Sequence, residues 1–432
     1  MPETERAPAS MAHNGSPRML MVTNADRGQA NVFLAVAAAL LAEAPSLQLH
    51  FASFSSLEET VAKVSASARR RSESARSITF HALRGRSMKQ AIDGQMRAAG
   101  VQREHEDYLP ASYTAAPLGF QATLRAISDT LPIFFPYTGP ELVEVYQSVV
   151  DTIQTVDPDL VVVDCLMAPA LTACESLAVP WVCLSPNSIK DFALGSQPLS
   201  SRLANLCRFP ALFSGFPYPV PWLLWLRNAL FNLYKIKTYL GSMHRVRVSR
   251  YFHAETGVVL STPLDLMRPQ KSPAKVIVSS LPAIDFPLIM PKHIVPCGPI
   301  VLSGSPLAEA DPRLDRWLGR RPTIYINFGS IHKTSEELAM QMAQALSIVL
   351  STATIDGDPR PLQVLWKLNR LGHFDVFAQG SRIHRILGEY LSRDRIRIVE
   401  WITADPSSIL ASPNVVCAIH HGGANSYNEA IL

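Results

Sequence analysis

The 432-residue sequence predicts an α/β protein with two doubly wound parallel sheets, and three observations carry that expectation. Apolar β-type runs alternate with helix-length periodic segments at "RMLMVTNADRGQANVFLAVAAALLAE" and again at "DLVVVDCLMAPALTACESLAVPWVCLS". A second alternation of the same kind begins after a proline-rich crossing. Hydrophobic residues make up 47% of the chain, which suffices for more than one core in domains of ~100 to 200 residues.

Residues 1–17 are polar, rich in Pro, Ser, Asn and Gly, and lack the apolar segment of a secretory signal. They read as a disordered tail on a cytoplasmic protein. A short β run follows at Met19 to Thr23, then a polar glycine-containing loop, then a periodic helix from about Asn31 to Ala42, then the strand "LQLHFASF". Strand, helix and strand within ~35 residues make the βαβ unit of a parallel sheet. The unit returns with a buried-type strand ending in Asp164, a helix over Pro169 to Leu177, and a strand at Trp181 to Leu184. Residues 18–295 are therefore assigned to one Rossmann-like domain. Residues 296–322, crowded with prolines, read as a linker. Beyond it "TIYINFGSI" and "LQVLWKL" are strands, separated by a helix that the capping box Thr334-x-x-Glu337 would open. Residues 323–432 thus start a second sheet. The sequence shows no internal repeat.

Charge narrows the function classes. The chain has 40 basic and 36 acidic residues, a formal net charge of +4 that gives no reason to expect nucleic acid, and Arg69, Arg70 and Arg71 read as a solvated helix face or loop. Six cysteines in mostly apolar contexts, without CxxC or metal-type spacing, read as buried thiols in a reducing compartment. Arg227, Asn228, Asn232, Lys235 and Lys237 interrupt the apolar run from Pro221 to Leu240 before it reaches membrane-spanning length. Its Trp222, Trp225, Phe231 and Tyr234 either pack on the protein itself or make peripheral membrane contact.

Four segments, in order, resemble the family-1 UDP-glycosyltransferases. They are "VPCGPI", "RLDRWLGRRPTIYINFGS", "VLWKL" and the stretch "WITADPSSILASPNVVCAIHHGGANSYNEAIL" from Trp401 to Leu432, and spellings such as "GQANVFLA" and "HHGGANS" resemble fungal members most. The resemblance implies a GT-B fold: two Rossmann-like domains facing a cleft, the first for the acceptor and the second for the UDP-sugar. It implies that Trp401 stacks on uracil, that Glu429 takes the ribose hydroxyls, and that Gly329, Ser330, His421, Gly423, Asn425 and Ser426 surround the diphosphate. The physics agrees, because a helix N-terminus opening after glycines offers free N–H groups and a partial positive charge to phosphate. UDP-sugar is then a co-substrate and no cofactor is needed. His420 and His421 have no carboxylate or cysteine at ligand spacing, so no metal is expected.

On the acceptor side the resemblance implies a histidine base after a glycine in the first loop, oriented by an aspartate. Here that dipeptide is Gly28 and Gln29, and a glutamine does not titrate. Asp164 stands where the partner aspartate belongs; it is either the base itself, with Gln29 holding the acceptor, or a cap on the following turn. Asp26 is a second carboxylate within reach. Aromatic segments such as Phe134 to Tyr137 suggest a small lipophilic acceptor, and the expected reaction is inverting transfer of a hexose, glucose first among them.

Thr403 and Ala404 replace the family's "PQ", and the sequence ends at "NEAIL", ahead of the family's acidic-Gln pair. The expectation is therefore a chain truncated at its C-terminus, with a marginal second domain and little turnover. The rival reading is a nucleotide-sugar-binding or partner-binding pseudoenzyme of the same fold.

Overall fold

The computed structural model describes residues 16–72, 74–98, 100, 112, 119–267, 274–329, 332–355 and 357–432. All but two residues of the expected 1–17 tail, and Ser330, lie outside the described residues.

One sheet aligns β1 (Arg18–Val22), β2 (Gln48–Ser53), β3 (Thr79–Ala82), β4 (Leu160–Asp164), β5 (Trp181–Ser185), β6 (Val276–Val278) and β7 (Ile294–Pro296) in the order β3-β2-β1-β4-β5-β6-β7. The other aligns β8 (Thr323–Asn327), β9 (Gln363–Lys367), β10 (Ile396–Val399) and β11 (Val415–His420) in the order β10-β9-β8-β11. The ladders are parallel, with Met21 opposite Val162 in the first sheet and Ile326 opposite Trp366 in the second.

Parallel neighbours need crossovers, and helices supply them. Between β1 and β7 these are α1 (Arg27–Glu43), α2 (Glu58–Arg71), α3 (Met88–Ala98), α4 (Phe120–Asp129), α5 (Leu131–Phe134), α6 (Gly139–Val156), α7 (Ala168–Ser176), α8 (Ile189–Ala193), α9 (Leu199–Arg208), α10 (Trp225–Leu240) and α11 (Met243–Thr256). From β7 onward they are α12 (Leu307–Ala310), α13 (Pro312–Leu318), α14 (Glu336–Thr352), α15 (Arg382–Ser392), α16 (Pro406–Leu410) and α17 (Ala424–Ile431).

Period-two alternation sends side chains to both faces, and both faces are covered. In β1, Leu20 and Val22 join the core under α6 and α7, while Met21 joins Phe33, Leu34 and Phe51 under α1. In the second sheet Ile326 and Trp366 pack with α14 and α15, while Tyr325 and Leu365 pack with α13 and α16. Leu314, Trp317 and Leu318, within the segment read as a linker, are buried in that last core.

Two local readings change. The helix after β8 opens at Ser335, whose Oγ accepts from the Leu338 N–H at 3.3 Å. Thr334 is withdrawn from capping because its backbone exchanges hydrogen bonds with Asn369 and Leu371. Of the six thiols, Cys165, Cys174 and Cys183 are buried, whereas Cys297 and Cys417 are exposed; all are unpaired.

Candidate active site

In a doubly wound sheet, ligands bind beyond the carboxyl ends of the strands where the strand order reverses. That point lies between β1 and β4 in the first sheet and between β8 and β11 in the second. The loops there hold the residues singled out by sequence. The two crevices face each other: Asn425 of α17 donates from Nδ2 to the carbonyls of Arg27 and Gly28 at 3.3 Å each. Deeper in, Asn428 Nδ2 donates to Ser279 O at 3.3 Å and to its Oγ at 3.1 Å. A cavity of about 440 Å³ opens beside these bonds, lined from both sheets by Asn187, Tyr218, Ser280, Phe286, Gly422 and Tyr427 among others.

On the first wall Asp164 is fully buried. Its Oδ2 accepts from Thr23 Oγ1, the Asn24 N–H and Asn24 Nδ2, each at 3.1 Å, and its Oδ1 accepts from the Leu166 N–H at 2.9 Å. Burial raises its pKa, and these hydrogen bonds oppose the rise. A carboxylate has about four lone-pair sites, so four donors occupy this one and tie the loop after β1 to the turn after β4.

Asp26 is placed differently. It is the N-cap of α1, yet its side chain makes no capping bond. An aspartate there ordinarily accepts from the first turn, so this carboxylate is left for other use. It is half-buried; burial raises its pKa, Lys89 lowers it and Asp164 adds to the rise. Tyr137 belongs to the same electrostatic neighbourhood: burial first, then Asp26 and Asp164, raise its pKa. Its hydroxyl and Asn24 Oδ1 are buried without a hydrogen-bond partner. Gln29 is also buried, with Oε1 accepting weakly from Cys165 Sγ at 3.8 Å.

The second wall presents a helix N-terminus, histidines and an exposed tryptophan. α17 begins at Ala424 behind Gly423 as N-cap, so its first N–H groups open toward the crevice. A Cβ on Gly423 would stand 2.3 Å from His421 Nε2, and one on Gly329, at φ +83°, would stand 3.0 Å from His421 Cε1. The imidazole therefore fits between two backbones that only glycine permits. Burial, then His420 and His332, lower its pKa, so at neutral pH it serves as a neutral donor. Ser426 is half-buried on the first turn of α17. Glu429 follows on the same helix, its pKa pushed up to about 7 by burial and by Asp405. Trp401 is 68% exposed, with Lys367 Nζ 4.6 Å from its ring centroid. A cavity of about 650 Å³ lies alongside, lined by Lys333, Asn369, Arg370, His373 and Glu400.

The structure thus places Asp26, Gln29 and Asp164 at the first crevice and Gly329, His421, Gly423, Asn425, Ser426 and Glu429 at the second, while Trp401 lies just after β10 with its ring against Lys367 at the end of β9. Sequence reasoning named Tyr137 only as part of an aromatic segment, and it missed Ser279 and Asn428. An isolated Tyr or Ser carries no chemical signature in sequence, but Asn428 sits three residues after Asn425, one helical turn along, and that spacing was a usable signal. Among the described residues no group of three or more His, Cys, Asp or Glu is arranged to hold a metal ion.

Two facing doubly wound sheets with ligand loops at both switch points define a GT-B glycosyltransferase. No family model matches the chain. It is 30% identical over 430 residues to the glycosyltransferase sdnJ of Sordaria araneosa, covering 97% of this chain and 78% of that one. It is 27% identical over 168 residues to the UDP-glycosyltransferase stmC of Aspergillus ustus, 38% of this chain and 31% of that one. Phytolacca americana UGT2, solved with UDP-2fluoro-glucose and pterostilbene, superposes with a TM-score of 0.52 at 13% identity, covering 97% of this chain and 78% of the other. The glycotransferase of kitacinnamycin gives 0.54 at 12% identity, covering 96% and 78%. The chain belongs to the UDP-glycosyltransferase family and is a glycosyltransferase.

Proposed function

We propose that this enzyme transfers a hexose, glucose first among the candidates, from UDP to a hydroxyl of a small lipophilic acceptor with inversion at the anomeric carbon. Residues 18–295 hold the acceptor and residues 323–432 the donor. The observation that carries the reading is the meeting of two helix N-termini, α1 with an unengaged carboxylate and α17 with its glycine-flanked imidazole.

Asp26 is the base. The acceptor hydroxyl gives its proton to the Asp26 carboxylate as its oxygen forms a bond to the anomeric carbon. The bond from that carbon to the β-phosphate oxygen breaks, and its electron pair leaves with UDP. The α17 N-terminus, His421, Asn425, Ser426 and Gly329 receive the developing phosphate charge. Trp401 stacks on uracil and Glu429 accepts from the ribose hydroxyls. Asp164 and Gln29 shape the acceptor wall, Asp164 by fixing both loops. The Phytolacca structure, with UDP-2fluoro-glucose and pterostilbene bound, supports this pairing of donor and acceptor classes. Unpaired thiols suit a reducing, cytoplasmic compartment.

The test is transfer from radiolabelled UDP-glucose to a panel of lipophilic alcohols, with the product's anomeric configuration read by NMR. A product inverted relative to the donor is expected. UDP binding without transfer to any acceptor would instead make the chain a nucleotide-sugar-binding protein.

A further inference from the structure

Helix α10 is built inside out. Its buried face carries Asn228 and Asn232 along with Phe231 and Tyr239. Its outer face carries Leu226, Leu230, Leu233 and Leu240, exposed by 75%, 46%, 51% and 46%. Trp222 and Leu223, in the turn leading into the helix, extend the stripe at 71% and 74% exposure. Leucines at positions 223, 226, 230 and 233 follow the helical repeat; Lys237 takes the next position of that stripe, with Ile236 exposed beside it and Leu240 one turn beyond.

The inversion is fixed by hydrogen bonds. Asn228 Nδ2 donates to the carbonyls of Leu206, Cys207 and Phe209 at 3.0, 3.1 and 2.6 Å, and its Oδ1 accepts from the Ala211 N–H at 2.8 Å. The side chain thereby satisfies the end of α9, and Asn232 adds a bond to Leu206 O at 3.1 Å. Rotating α10 to bury its leucines would leave those backbone groups unpaired. The leucines are held outside.

Charge identifies what covers them. No Asp or Glu occurs between Asp191 and Glu255, although the whole chain has a formal net charge of only +4. Arg202 and Arg208 on α9, Lys237 on α10, and Arg247 and Arg250 on α11 are exposed, and none is ion-paired among the described residues. An apolar stripe with an interfacial tryptophan, flanked by unpaired cations, matches a membrane surface rich in anionic lipid.

We infer that the Trp222–Leu240 face, with the exposed basic residues of α9, the helix that packs on α10, docks the enzyme on anionic lipid bilayers. The face also adjoins the cleft. Tyr218, 40% exposed, packs against Phe209 and Phe286 at ring-centroid distances of 5.4 and 4.8 Å, and Tyr218 and Phe286 line the interdomain cavity. A lipophilic acceptor dissolved in the bilayer would reach the cleft along these rings. That last step rests on the acceptor class proposed above, whereas docking itself does not.

The test is flotation of the full chain with phosphatidylcholine vesicles with and without phosphatidylserine, with UDP binding followed in parallel by tryptophan fluorescence. The protein is expected to float with the phosphatidylserine vesicles and to lose roughly tenfold or more in binding at high salt. Leu223→Glu with Leu226→Glu should cut flotation by about tenfold or more, with UDP binding and melting temperature unchanged, since both side chains are exposed. Arg202→Glu with Arg208→Glu should remove the phosphatidylserine preference and leave the leucines untouched. Flotation unaffected by both pairs, or no flotation of the native chain, overturns the inference. A dimer in sedimentation velocity that the leucine pair dissociates also overturns it and assigns the face to a second copy. Loss of flotation with sugar transfer intact, or the reverse, separates failure of this inference from failure of the transferase reading.

Discussion

The crevice between β1 and β4 and the crevice between β8 and β11 share one strand topology and have opposite chemistry. The first is desolvated and acidic, with Asp164 fully buried, Asp26 half-buried and both pKa values raised. The second is open and rich in donors, with neutral His421 beside a helix N-terminus and Trp401 exposed. The fold therefore sets where ligands bind, and the side chains at each switch point set what is done there. On the proposed mechanism the first crevice accepts a proton, and the second holds the diphosphate and the uracil.

The largest effect that would break this division concerns the first crevice. Asp26→Asn should lower turnover by ~10² to 10⁴, as removal of a general base does, with UDP affinity unchanged. Asp164→Asn should act through the fold: its amide would face donors that now meet a carboxylate, at a cost of about 1–3 kcal/mol read by denaturant unfolding. A full rate in Asp26→Asn, together with a stable but inactive Asp164→Asn, would transfer the base to Asp164.

Next in size is the second crevice. Stacking of a base on an aromatic ring is worth ~1 to 3 kcal/mol, so Trp401→Ala should weaken UDP binding roughly tenfold or more and remove most of the fluorescence quench. Unchanged affinity would take Trp401 out of the site.

Glu429 sharpens the contrast by pH. With its pKa near 7, the carboxyl is largely protonated below neutrality, and the carboxylate that would accept from ribose hydroxyls is lost. UDP affinity should fall by roughly an order of magnitude as pH drops one to two units below about 7, and Glu429→Gln should flatten that profile. Folding responds with the opposite sign. A carboxyl raised in the folded state favours folding most when protonated, so its contribution falls as pH rises from about 4.5, its ordinary value, to about 7. Thermal melts across that window, compared with Glu429→Gln, measure it.

The smallest effect lies at the sheet edge. β11 is the outer strand of the second sheet and leaves Val416 42% exposed, whereas β4, an equally apolar run, is buried between neighbours. Val416→Lys should change stability by less than about 0.5 kcal/mol while reducing aggregation on light scattering.

Strands β1, β4, β5, β8 and β9 were legible because short β-branched and leucine-rich runs bounded by polar loops have few other uses. The HHGGANS turn was legible because two glycines before a helix are a local signature, and its helix does start at Ala424. Helix α10 was legible only in part. Its aromatic residues suggested one stripe, yet Phe231 is buried while Trp222 is exposed, because Asn228 is claimed by the end of α9. Likewise Thr334 had the spelling of a cap, and its pairing across the sheet gave that role to Ser335.

The sequence by itself determined the two α/β halves, the helix terminus suited to phosphate, the motif that runs from Trp401 to Glu429 and the absence of a histidine after Gly28. Those follow from local propensity and from residue chemistry, which need no partner. Only the tertiary structure sets the surroundings of the two aspartates apart. Burial and donor count depend on what the rest of the chain brings to a side chain: four donors converge on Asp164, and none caps with Asp26. No spacing in the sequence encodes that convergence, because Thr23 and Asn24 reach Asp164 only once β1 and β4 lie side by side.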